Sequence, residues 1–133
     1  MMAIFGNLFL RFSKQIETSD SFSDEQLQTH YYKANFNQLF QSVEKLFHDD
    51  ADCRITTVSK EHGEIAVEVN KPFPSFLIVT VVTERPLETA VDFKISTERF
   101  SIGGNYPALK KRVISYYERL NQLHTFVRSG KNR

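Results

Sequence analysis

The sequence predicts an α+β domain: a two-layer sandwich in which a four-stranded antiparallel meander sheet carries two main helices on one face, with an N-terminal amphipathic helix in addition. Three observations predict it. Residues 76–82 are apolar at six of seven positions and rich in β-branched side chains, as in a strand buried on both faces. Thr89, Val91, Phe93 and Ile95 then alternate with polar neighbours, the period of a strand with one wet face. Two stretches, 36–48 and 106–124, repeat apolar residues at three- and four-residue spacing, the period of a helix.

The elements follow in order. Residues 3–16 place Ile4, Phe5, Leu8, Phe9, Phe12 and Ile16 on one helical stripe, weakened by about 1 kcal/mol at Gly6. This stripe is the candidate interaction surface (Ile4, Phe5, Leu8, Phe9, Phe12): it covers the second face of the sheet, meets a second copy, or lies on a partner or a membrane surface. Arg11 and Lys14 alone are too few for strong attraction to anionic lipid. Residues 17–34 read as an irregular crossing segment anchored by Phe22, Leu27, Tyr31 and Tyr32, with a short capped turn starting at Ser23.

Asn35, with Gln38 three residues on, caps the helix of Phe36, Leu39, Phe40, Val43, Leu46 and Phe47, which stops at His48-Asp49-Asp50. Cys53–Lys60 and Glu64–Asn70 form a first hairpin about Gly63, and Pro72 and Pro74 exclude a strand interior between the hairpins. Arg85-Pro86-Leu87-Glu88 turns the central hairpin, because proline pre-sets φ at the first corner. Pro107 sits in the first turn of the last helix, whose stripe is Leu109, Val113, Tyr116, Tyr117, Leu120 and Leu123. The 133 residues make one domain: 1–34 as helix and irregular segment, 35–124 as the helix–four strands–helix core, and 125–133 as a frayed basic tail.

Composition narrows the function classes. A net charge of +1 does not nominate nucleic acid, although residues 106–133 hold seven Lys or Arg against one Glu. The wet face of the last helix offers charge without interleaved aromatic platforms, so nucleic acid is not favoured. One cysteine, Cys53, excludes a disulfide within the chain and fits a cytoplasmic location. No apolar run reaches transmembrane length, and the N-terminus lacks the basic start of a signal peptide.

Candidate chemistry is sparse. Gly103-Gly104-Asn105 before a helix, with Lys110 a turn further in, resembles an anion cradle, but the P-loop Lys-Ser/Thr pair is missing and flexible helix starts are the ordinary reading. His48, Asp49, Asp50 and Asp52 lack the spacing of a calcium loop or a zinc site and read as a solvated loop. Arg54 beside Cys53 would favour a thiolate, yet nothing else around it marks a nucleophile. Glu64, Glu68, Glu88 and Asp92 read as cross-strand partners of Lys60, Lys94 and Arg54.

The segments Gly63-Glu64-Ile65, Thr89-Ala90-Val91-Asp92-Phe93-Lys94-Ile95-Ser96-Thr97-Glu98 and Tyr106-Pro107-Ala108-Leu109-Lys110-Lys111 resemble parts of a family of small uncharacterised bacterial cytosolic proteins. The resemblance runs from about Tyr31 to Leu120. It implies a bacterial, cytosolic, single α+β domain and carries over no functional residue. The expectation is therefore a binding or protein-interaction module that self-associates as a homodimer, without catalytic motif, cofactor or metal. The alternative is a small-ligand protein with an aromatic-lined pocket and an anion site at the start of the C-terminal helix.

Overall fold

The structure, a computed structural model, describes residues 14–130. Seven strands form one antiparallel sheet: β1 (Gln15–Glu17), β2 (His30–Lys33), β3 (Cys53–Ser59), β4 (Glu64–Val69), β5 (Ser75–Arg85), β6 (Glu88–Ser96) and β7 (Thr125–Ser129). Two α-helices accompany it, α1 (Phe36–His48) and α2 (Tyr106–Leu123), and the spatial order is β3-β4-β5-β6-β2-β7, with β1 also on β6.

The hairpins follow the predicted logic. Asn35 and Gln38 make a reciprocal capping box, so two backbone N–H groups at the start of α1 are satisfied. Gly63 sits at φ +69° between β3 and β4, and a Cβ there would run into the Val81 carbonyl. Pro86-Leu87 closes β5 onto β6, at the cost of Leu87 adopting φ 59°. Residues 65, 67 and 69 of β4, 77, 79 and 81 of β5, and 91, 93 and 95 of β6 all face the helices and are buried with Leu39, Phe40, Val43, Phe47, Val113, Tyr116 and Leu120.

Three expectations are corrected. The sheet is not a four-stranded meander, because the segment read as irregular contributes β1 and β2, and the tail read as frayed contributes β7. Each of these strands is too short to show its period, but each is paired: β1 and β2 extend β6, and β7 extends β2. The N-terminal helix over 3–16 is also overturned at its end, since Gln15–Glu17 is a strand paired with Lys94–Ser96. The rest of that stripe, including Ile4, Phe5, Leu8, Phe9 and Phe12, lies outside the described residues. Finally, β5 is internal to the sheet but, among the described residues, covered on one face only: Phe76 and Val82 on the other face are 43% and 48% exposed.

Candidate functional site

The helix-free face of the sheet is built by register. Reading across it, Glu68, Phe76, Ser96 and Gln15 stand side by side; so do Ala66, Ile78, Lys94 and Glu17; and Val82, Ala90, Tyr31 and Arg128 form a further row. The last row is partly roofed by the protein itself. The Arg128 guanidinium lies 4.1 Å from the centre of the Tyr31 ring and pairs with Glu88 at 2.9 Å, while the Tyr31 hydroxyl donates to Asp20 at 2.7 Å. Tyr31 is thereby buried on a face that otherwise meets water.

Among the described residues, the middle of this face has no such roof. Phe76 and Val82 are exposed, Ile78 and Ala66 half-buried, and the exposed Glu64 and Glu68 stand along β4, with Glu68 held by Arg54 at 2.7 Å. At one corner a groove of about 340 Å³ runs between Glu68, Pro74, Phe76, Ser96 and Glu98. The chain enters the fold at that corner: the Thr97 N–H donates to the Lys14 carbonyl at 2.9 Å.

A second feature is a polar seam where β1 ends and β2 has not begun. Both strands lie on the same side of β6, so the backbone of Asp92 and Phe93 faces a gap between them. Side chains fill it. Thr18 Oγ1 accepts from the Phe93 N–H at 2.9 Å and donates to Asp92 Oδ1 at 2.6 Å, and Thr29 donates to the same oxygen at 2.7 Å. The Tyr117 hydroxyl reaches in from α2 and donates to the Val91 carbonyl at 2.9 Å. Burial, aided by the charges of Asp20 and Glu17, pushes the Asp92 carboxyl up against the two threonine bonds, and burial pushes the Tyr117 hydroxyl well above its ordinary range.

The seam is a constellation of perturbed groups that the sequence did not disclose, but its bonding capacity is spent on the sheet. Thr18 uses its one proton and accepts a bond in return, and Tyr117 uses its proton on the Val91 carbonyl. The two hydroxyls that face a carboxylate, Thr18 and Thr29, share the single oxygen Asp92 Oδ1.

The sequence-nominated residues are placed as follows. Gly103 stands in open space, Gly104 adopts φ 88°, and the Asn105 amide donates to the Arg99 carbonyl at 2.7 Å while making no side-chain cap on α2. The Lys110 ammonium is 2.6 Å from Asp24. Partial burial raises the Asp24 carboxyl, but the bonds from Lys110 and the Gln26 N–H outweigh it and hold the group below its usual range. The lysine charge is thus already matched by a carboxylate.

Asp49 accepts from Lys45 at 2.7 Å and Asp50 pairs with Arg119 at 3.0 Å, so these carboxylates are engaged in ion pairs. Cys53 is half-buried, and burial together with the nearby Asp50 pushes its thiol up. Arg54, expected to favour the thiolate, instead turns to Glu68, and it is Arg112 that approaches Sγ, at 3.9 Å.

No known family model matches the chain, and no curated protein or solved structure matches it. No helix among the described residues is long and apolar enough to cross a membrane.

Proposed function

We propose that this chain is a non-catalytic, cytoplasmic interaction module that self-associates as a homodimer, the apolar N-terminal residues of one copy covering the open sheet face of the other. The observation that carries the reading is the exposure of Phe76 and Val82 in the middle of a sheet whose opposite face is fully packed. An apolar row on an internal strand, rimmed by Glu64 and Glu68, has the composition of an interface centre with a polar edge.

The complementary surface is in the same chain. Ile4, Phe5, Leu8, Phe9 and Phe12 supply apolar side chains and Arg11 a positive charge opposite the acidic rim. Two-fold symmetry makes the exchange between copies reciprocal.

Light scattering after gel filtration tests the reading. The wild-type chain is expected at twice its 15.5 kDa mass, falling toward the monomer on dilution. Phe76→Lys is expected to give the monomer with an unchanged melting temperature, since Phe76 does not belong to the packed core, and Phe9→Glu is expected to give the monomer as well. A wild-type monomer at every concentration would overturn it.

A further inference from the structure

His124 and Ser42 make a contact that neither the dimer nor the seam uses. His124, the residue that caps the end of α2, places its Nε2 2.7 Å from the Oγ of Ser42 in the interior of α1. This is the only hydrogen bond of the Ser42 side chain among the described residues. The hydroxyl therefore has no protein acceptor other than Nε2, and its proton lies against the imidazole lone pair. A cleft of about 460 Å³ opens over the pair, lined also by Lys33, Gln41, Leu123 and Thr125.

Both partners are held in place. Ser42 sits on a 13-residue helix, so its backbone fixes where Oγ can point. The His124 N–H donates to the Leu120 carbonyl at 3.0 Å, and the imidazole meets the Tyr32 ring edge-on with centroids 6.5 Å apart. Burial lowers the His124 imidazole below its ordinary range, so the ring is neutral at neutral pH and can take up a proton. Among the described residues no Asp or Glu lines the cleft. An oxyanion forming on a carbonyl bound there would meet the Lys33 ammonium and the Gln41 amide rather than a like charge.

We propose that Ser42 is a site of covalent acylation: its Oγ takes a short acyl group from an ester with a good leaving group, while His124 Nε2 takes the hydroxyl proton. The bond from Oγ to the carbonyl carbon forms, and the bond from that carbon to the leaving oxygen breaks. The leaving oxygen departs with the electron pair, and the proton held on Nε2 passes to it or to water. The inference goes beyond the interaction reading and uses none of the residues of the proposed dimer contact. A second serine supplies the comparison. Ser59 Oγ lies 2.8 Å from His62 Nδ1, but both belong to one exposed turn, with no second element to fix the pair.

The test supplies 4-nitrophenyl acetate to the full-length chain and locates the acetyl group by peptide mass spectrometry. An acetyl group on Ser42 is the expected result. His124→Gln, its folding checked by melting temperature, is expected to label Ser42 about a hundredfold more slowly. Lys33→Gln, at an exposed position, is expected to slow the labelling about fivefold, its charge being partly screened by water, and it keeps the test readable if His124→Gln does not fold. The proposal is overturned if Ser42 stays unlabelled while lysines are acetylated, if Ser59 is labelled as fast as Ser42, or if either folded variant labels Ser42 as fast as wild type.

Discussion

The Tyr117 hydroxyl, carried on α2, donates to the Val91 carbonyl at 2.9 Å, on the residue where β6 begins its pairing with His30 of β2. A helix thus adds a hydrogen bond to a sheet. Tyr117→Phe keeps the ring and removes one buried hydrogen bond, so stability falls by about 0.5–1.5 kcal/mol. The neighbouring tyrosine supplies the contrast. The Tyr116 hydroxyl is buried without a hydrogen-bond partner among the described residues, so Tyr116→Phe is expected to cost less than about 0.5 kcal/mol. Urea unfolding of both variants checks the difference.

His30 supplies a pH dependence. Burial lowers its folded-state pKa to about 4 from the ordinary 6.5, so the folded chain binds the proton less well than the unfolded chain. The stability that comes from keeping the ring neutral is complete above the unfolded value and drains away as pH falls from 6.5 toward 4. That amounts to about 3 kcal/mol over the window. His30→Phe cannot take up the proton. Over that range the wild type should lose about this much more stability than the variant, read as the difference between two denaturation series.

Asp92 acts with the opposite sign. Its carboxyl is raised in the folded chain, burial first, so the folded state holds the proton to higher pH than the unfolded state does. The group's stabilising contribution is complete below the unfolded value of 3.8 and is lost as pH rises through the folded value. Asp92→Asn keeps an oxygen to accept from Thr18 and Thr29 and removes the buried charge. The variant's stability relative to wild type should therefore grow as pH is raised from about 4 to 7.

Leu87 holds φ 59° in the turn of the central hairpin while its side chain is 57% exposed, so little packing repays the left-handed backbone. Leu87→Asn should raise stability by about 0.5–1 kcal/mol, seen as a higher denaturation midpoint at unchanged slope. A destabilised variant would mean that Leu87 makes contacts the hairpin needs.

The sequence made the two helices and the two hairpins legible because each is long enough to display its period and carries its own punctuation: Asn35 with Gln38, Gly63, Pro86, Pro107. It concealed β1, β2 and β7. Strands of three to five residues show too little alternation to be read, and His30–Lys33 and Thr125–Ser129 find each other only across nearly the whole chain. The seam was hidden for the same reason. Thr18, Thr29, Asp92 and Tyr117 become neighbours only through the break between two strands that the sequence does not announce. The doubly apolar run 76–82 was read correctly as an internal strand. Its second cover does not come from any described residue, and that gap is what motivates the proposed dimer.

The most direct measurement places a spin label on one copy and reads its effect on another. Asn7→Cys, within the N-terminal stretch, is labelled in a Cys53→Ser background at natural isotopic abundance and mixed with ¹⁵N-labelled chain that carries no spin label. If the N-terminal residues of one copy cover the sheet of the next, the amides of residues 76–82 in the ¹⁵N chain broaden. Unperturbed amides in the mixed sample, with broadening confined to a chain that carries both labels, would contradict the exchange and return the segment to its own sheet.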